Sequence, residues 1–568
     1  MSTTIVHADA AAQRSLAEAH RLSESGDLAG ARTLYQALVD QPGFTATCLY
    51  RLGLIAGTSG DHRRAATLVQ AAIRLQPQLW EAYPVWSAAL RRAGDRDASL
   101  AALIGYGNAL DQAGERALAV DIFRAVLKQD PLNFPARANA GHCLAWLGRP
   151  RDAAPYLAQA LRLAGRIHPA VDSLIRQLAA RTGDRLALAA EPLPNGEPHG
   201  VEHLERVLTT LGKVLSDAYF VREAISCHRM ATWLAPRYAL AHWNLALALL
   251  AQGDWKNGWR EYEWRWQWPE CPEPVKRVPV SPWRGQPLKG RTVLVWAEQG
   301  LGDAIQFLPL VHELQKRGAR IVLETPHTLR RLFAESLPDV ELVDRPGRPD
   351  LLSTAERLDY IVPLMSLPER LALASDQLPL AVDYLHAPAA AAETWRQRLA
   401  RLPHPRVGIV WDGRTNHLPF DALRPLFELQ DIAWCSLQIG AQSRRIADNA
   451  MENMTDCSLW LDDLAETAAA IEQLDLVVTI DTSIAHLAGA LGKAVWVMLD
   501  SAPNWRWRGA DGRSPWYPSM RLFRRGRDQP WERSIDALES ALRKWHDTRP
   551  QEASVTPVAR VADRSERL

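Results

Sequence analysis

The sequence predicts an α + α/β protein: a helical repeat array through the first half, then a tandem pair of parallel-sheet α/β domains. Three observations carry this. Glycine followed by a charged residue recurs at Gly26, Gly60 and Gly94, and again at Gly114 and Gly148, with steps of 34 residues inside each set. From Arg291 onward, short β-branched runs alternate with amphipathic stretches, the pattern of βαβ units. An alanine- and proline-rich segment, HAPAAAAETWRQRLARLPHP, divides that second half in two.

At 568 residues the chain exceeds what one core can hold, and a sizeable buried interior is expected. Lysine plus arginine number 66 against 65 acidic residues, a formal charge of +1, so neither nucleic acid nor an anionic membrane surface is favoured as a partner. The six cysteines lie far apart with no Cys-x-x-Cys pair; they read as reduced, structural residues of a cytoplasmic protein. The N-terminus MSTTIVHADAAAQRSL lacks a basic region followed by an apolar core, and no apolar run reaches about 18 residues. Secretion and membrane spanning are not expected.

A period of 34 is the length of a tetratricopeptide unit, two antiparallel helices joined by a tight turn. Five residues after each turn glycine sits a small residue (Ala31, Ala65, Ser99, Ala119, Ala153), where paired helices approach closely. Pro77 and Pro131 lie seventeen after, ending second helices, and Gly53, Gly107 and Gly141 lie seven before. The step from Gly94 to Gly114 is only 20, so one unit is truncated. The expected organisation is repeats over 1–188, a loop over 189–200, and further tetratricopeptide-like helices over 201–270, the last turn being Gly253-Asp254. The α/β halves follow at 285–390 and 391–545, then a disordered tail at 546–568.

In the second half the expected strands are TVLVWA (292–297), ARIVLET (319–325), VELVDR, DYIVPL (359–364), RVGIVWDG (406–413), IAWCSLQIG (432–440), LDLVVTIDT (474–482) and AVWVMLD (494–500), with a helix from about Asp303 to Arg317. Ligands of such sheets bind at the carboxyl ends of the strands. After the first strand, Gly300 and Gly302 let backbone and a bound group approach closely. Asp303 is either the cap of the next helix or a base, and on local sequence the cap is favoured. After RVGIVW come Arg414, Asn416 and His417, donors suited to a phosphate or a sugar hydroxyl, or else a solvated loop. Gln438, at the end of the IAWCSLQIG run, joins this donor-binding set. At LDLVVTIDTSIAHLAGALGK, Thr482 or Ser483 can start a helix whose free N–H groups face an anion such as diphosphate, with Asp481 and His486 beside it. A core histidine is the alternative for His486.

Together GLGDAIQFLPLVHELQKRGARIVLE, RVGIVWDG, IDTSIAHLAGALGKAVWVML and SPWYPSMRLFRR resemble the glycosyltransferase domain of bacterial tetratricopeptide glycosyltransferases, which is similar to the ADP-heptose:lipopolysaccharide heptosyltransferases. The resemblance implies a GT-B-like pair of Rossmann-type domains. It implies sugar transfer from a nucleotide-sugar donor with inversion and no metal or other cofactor. Asp303 is then the general base, and Asp481, Thr482, Ser483 and His486 hold the donor diphosphate. One departure stands out: the family's longer segment with Asn-Pro, His and Asp-x-x-Arg-Ser is here only DGRTNHLPFDAL. The leading expectation is a protein glycosyltransferase whose repeats recruit the acceptor, flagellin by family analogy. The alternatives are a non-catalytic scaffold with a degenerate transferase domain, or a glycolipid transferase.

Overall fold

The computed structural model describes residues 2–183, 186, 188, 193–269, 271, 280–344, 357–373, 383–413, 417–429, 431–448, 453–502, 504–508, 512–526 and 529–548. The chain divides into two compact units, Met1–Ala248 and Leu249–Leu568.

The first unit is a stack of antiparallel helix pairs, beginning Ser2–Glu24 with Leu28–Leu38 and Thr45–Thr58 with His62–Leu75. Its turns are made by the periodic glycines, whose φ values (+90° at Gly26, +83° at Gly60, +89° at Gly94, +88° at Gly114, +69° at Gly148) lie in the left-handed region that only glycine enters at no steric cost. The aspartate that follows caps the second helix: Asp27 accepts from the Gly30 N–H at 2.9 Å, Asp61 from Arg64 at 3.1 Å and Asp95 from Ala98 at 2.9 Å. The glycines seven residues earlier have a different job. A Cβ on Gly53, Gly107 or Gly141 would stand 2.5, 2.4 or 2.7 Å from the side chain of Val69, Phe123 or Leu157. Each partner lies 16 residues downstream, so the two helices of a pair touch where the first has no side chain. The single helix Arg96–Gln112 lies between the turns at Gly94 and Gly114 and packs against both neighbours, which accounts for the truncated step.

Sequence spacing alone makes Gly253 the next turn after Gly148, with an irregular gap between them. The structure supplies the missing turn: Tyr219, between helices Leu204–Asp217 and Val221–Leu234, adopts φ +65°. Every offset then recurs. Gly212 lies seven residues before it, with its Cβ position 2.4 Å from His228, 16 residues on; Ala224 is buried five after; Pro236 lies seventeen after; and Gly253 is 34 after. A tyrosine in a glycine's place hid the repeat. Residues 193–200 carry no helix and are tied back by a bridge between Asn133 and His199.

The second unit begins with the aromatic helix Trp255–Tyr262 and the 3₁₀ turn Glu263–Gln267. It then builds two wholly parallel sheets. The first has strands β1 (Ser281–Pro282), β2 (Thr292–Trp296), β3 (Arg320–Thr325), β4 (Glu341–Asp344) and β5 (Tyr360–Pro363) in the order β1-β5-β2-β3-β4. The second has β6 (Arg406–Ile409), β7 (Ala433–Ser436), β8 (Met454–Asp456), β9 (Leu476–Ile480), β10 (Val495–Leu499) and β11 (Met520–Arg524) in the order β11-β10-β9-β6-β7-β8. Strands β6, β7, β9 and β10 are buried along their whole length, as helix-covered parallel strands require. The expected helix from Asp303 to Arg317 is in fact two, Leu301–Phe307 and Pro309–Lys316, because Pro309 has no N–H to continue the ladder. Strands β1, β8 and β11 are not among those the sequence pattern predicts.

Each sheet has one point where strand order reverses: between β2 and β5 in the first, between β6 and β9 in the second. Open parallel sheets bind ligands in the crevice at such points. All six cysteines are free thiols, five of them buried. Among the described residues no helix is long and apolar enough to cross a membrane.

Candidate functional site

The carboxyl end of β2 runs straight into Glu298-Gln299-Gly300. Gln299 holds φ +67°, a left-handed conformation for a non-glycine residue, and its amide donates to the Tyr262 hydroxyl at 2.7 Å. Asp303 takes the cap role, and its second oxygen is engaged by a cation. Its Oδ2 accepts from the Gly300 N–H at 2.9 Å, capping the helix Leu301–Phe307, while its Oδ1 accepts from Arg506. Gly302 permits a close approach, though to a side chain: a Cβ there would stand 2.7 Å from His486 Cδ2.

His486 belongs to the helix Ser483–Ala490 that follows β9. Its Nδ1 pairs with the Tyr517 hydroxyl at 3.1 Å and its ring packs on Trp507 at 4.9 Å. Burial, helped by the positive charge of Arg506, pushes its pKa down to about 3, so it is neutral near pH 7 and can offer a polar N–H or lone pair but no charge. Thr482, at the N-cap, makes no cap bond; its hydroxyl pairs with Thr479 at 3.1 Å. Asp481 is half-buried, and burial raises its pKa while Trp507 and Arg506 oppose that rise and Asp303 adds to it. Gly300, Gly302, Asp303, Asp481 and His486 therefore converge, drawn from both halves.

The residue that joins them, Arg506, carried no sequence signal: it is one arginine between Trp505 and Trp507, 203 positions from Asp303. Its Nε donates to Gln306 at 2.9 Å, its Nη1 to Asn504 at 3.0 Å and its Nη2 to Asp303. Its guanidinium also lies 4.4 Å from the Trp505 ring centre. Around it, aromatic rings pin both halves to the helix Trp255–Tyr262: Trp259 lies 5.3 Å from Trp505 and 5.6 Å from Phe307, and Trp255 lies 5.0 Å from Trp516. Trp505, Trp507 and Trp516 are buried packing residues here.

Behind the turn lies a buried ion network. Arg265 donates to Glu263 at 2.7 Å, to Glu298 at 2.9 Å and to the Ser366 hydroxyl at 2.8 Å; Glu263 is also held by Arg370 at 2.9 Å. The Met365 N–H, just past β5, donates to Glu298 at 3.2 Å. Burial pushes the Glu298 carboxyl up to about 7, with Arg265 pulling the other way. The folded state then holds this proton more tightly than the unfolded chain does. The stabilisation it brings is complete below the ordinary carboxyl range and is lost as pH rises through about 7. Melting curves should therefore show the native chain losing stability relative to Glu298→Gln between about pH 5 and pH 8; parallel curves would refute the assignment.

The remaining candidates lie at the β6–β7 ends. Gln438 is buried, its Oε1 accepting from the Trp411 and Asp412 N–H groups at 3.1 and 2.9 Å and its amide donating to Ile439 O at 3.0 Å. These bonds shape the loop, with no donor group needed. His417 is exposed and forms an isolated antiparallel bridge with Asp412. Arg414 and Asn416 lie outside the described residues. Among the described residues no three His, Cys, Asp or Glu side chains gather as a metal-holding group.

Comparison with known proteins matches a tetratricopeptide repeat family model to residues 16–79. Protein FlbA of Caulobacter vibrioides is 28% identical over 334 residues, covering 54% of this chain and 55% of FlbA, so the chain spans about half the length of that curated relative. Among solved structures, the glycosyl transferase family 9 protein of Veillonella parvula aligns at 13% identity over 46% of this chain and 98% of its own, with a TM-score of 0.33. The E. coli ADP-heptose lps heptosyltransferase II aligns at 15% identity over 44% of this chain and 99% of its own, with a TM-score of 0.31.

Proposed function

We propose that the second unit is a glycosyltransferase that moves a sugar from a nucleotide-sugar donor to a hydroxyl. The observation that carries this is the meeting of two switch points: Asp303, after β2, lies beside Asp481 and the start of the Ser483–Ala490 helix, after β9. The Ala485 N–H donates to Thr482 O at 3.1 Å, but Thr482 makes no side-chain cap bond, so the Ser483 and Ile484 N–H groups and the positive end of the dipole are what would receive a diphosphate. A carboxylate across from an anion site is what the chemistry needs. Asp303 takes the acceptor hydroxyl's proton, the oxygen bonds to the anomeric carbon from the face opposite the donor phosphate, and the sugar–phosphate bond breaks with its electron pair going to the diphosphate. Inversion follows from that approach, and no metal or other cofactor enters it.

The tetratricopeptide array supports a polypeptide acceptor, since such repeats present extended surfaces to peptide partners. Flagellin is the acceptor that the family resemblance suggests. The scaffold reading draws on a specific observation too: His486 is packed against Gly302, and Gln438 is committed to backbone. A thermal-shift screen of nucleotide sugars, followed by assay of nucleoside diphosphate release, separates the two. Stabilisation with release is expected; a chain that no nucleotide sugar stabilises is the scaffold.

A further inference from the structure

We propose that Arg506 is an exchanged cation: it holds Asp303 while the site is empty and passes to the donor's diphosphate on binding, so that the base is released only when the donor is present. This rests on reading the site as a nucleotide-sugar transfer centre. Arg506 and Asp303 come from opposite halves, and their side chains are 10% and 16% exposed. Among the described residues, three of the five guanidinium N–H bonds are engaged, by Gln306, Asn504 and Asp303. One N–H on each terminal nitrogen is left to donate to a phosphate oxygen. Asp481 is near enough to feel the charges of both Arg506 and Asp303, and a diphosphate arriving with more negative charge competes with Asp303 for the cation directly.

The exchange solves a chemical problem. A carboxylate oxygen that accepts from a guanidinium has that lone pair committed, and it cannot take a hydroxyl proton along the same direction. Once Arg506 turns to the diphosphate, Asp303 receives the acceptor proton. The oxygen–carbon bond forms, and the electron pair of the broken sugar–phosphate bond is neutralised by the arginine already in place. Donor binding therefore precedes productive acceptor binding.

The test is calorimetric titration of the full chain with ADP, GDP, UDP and dTDP, using native protein, Asp303→Asn, Arg506→Gln and the double variant. Asparagine keeps an oxygen for the Gly300 N–H. Asp303→Asn is expected to bind the preferred diphosphate about tenfold more tightly than native, the worth of one charge-assisted hydrogen bond. Arg506→Gln should bind more weakly, and the double variant should match it. Should Arg506→Gln fail to fold, Arg506→Lys, which keeps the charge and loses the guanidinium, is expected to fall between. Equal tightening by Asp303→Asn with and without Arg506 is simple charge repulsion and overturns the exchange. So does native binding that Asp303→Asn leaves unimproved, with the transfer reading intact. Absence of diphosphate binding in native and Asp303→Asn protein alike removes the transfer reading and the exchange with it.

Discussion

Replacing Asp303 with alanine is expected to lower sugar transfer by roughly 10²- to 10⁴-fold, the usual worth of a positioned general base. Nucleotide binding should survive, because the helix start at Ser483 and the guanidinium of Arg506 remain. The loss should therefore fall on kcat, with donor binding tightened rather than weakened. The variant also loses the bond from the Gly300 N–H, a cap worth about 1 kcal/mol, so a melting curve must accompany the kinetics. Asp303→Asn separates the two effects: it restores the cap acceptor and still cannot accept a proton. If Asp303→Asn regains native turnover, the residue is a cap and the base lies elsewhere.

The second large effect is on stability. Arg265→Ala removes the centre of a network in which Glu298 and Glu263 are both held by one buried guanidinium. Breaking a buried pair from one side costs about 3–5 kcal/mol, because a charge is left without its partner. Glu298 can escape part of this by taking up a proton, since burial already pushes its carboxyl up to about 7. The expected signature is an Arg265→Ala defect that is smaller at low pH and largest above neutrality. Pairing Arg265→Met with Glu298→Gln should cost less than the sum of the single changes, as coupled neighbours do. Denaturation of the second unit measures both. Additive losses would show that the two side chains do not depend on one another. Because Glu298 and Gln299 immediately precede the Gly300 cap, and are tied to Arg265 and Tyr262 respectively, the aromatic helix Trp255–Tyr262 and its 3₁₀ extension brace the turn that presents Asp303.

The repeats were legible because their turns need a residue at positive φ, and glycine recurs visibly at a fixed period. The same physics concealed Tyr219, which takes φ +65° without being glycine; only the accompanying offsets, Gly212, Ala224 and Pro236, could have revealed it. Asp303 and the Asp481–His486 turn were legible as strand ends that carry polar residues. Local sequence suggests that Gly302 makes room for a ligand, whereas in the structure it makes room for the His486 imidazole. Arg506 and the Arg265–Glu298 pair were invisible because their partners are set by tertiary packing: Gln306 lies 200 residues from Arg506, and Glu298 lies 33 from Arg265. Residue type and local spacing hold no record of which charges meet across two sheets.

The most direct test of a transfer centre at these strand ends is the structure of the chain with a nucleoside diphosphate bound. The expected result places diphosphate oxygens within hydrogen-bond reach of the N–H groups that open the Ser483–Ala490 helix and of the Arg506 guanidinium, with Asp303 facing the space beside them. A diphosphate seated away from both, or on the far side of either sheet, would contradict it.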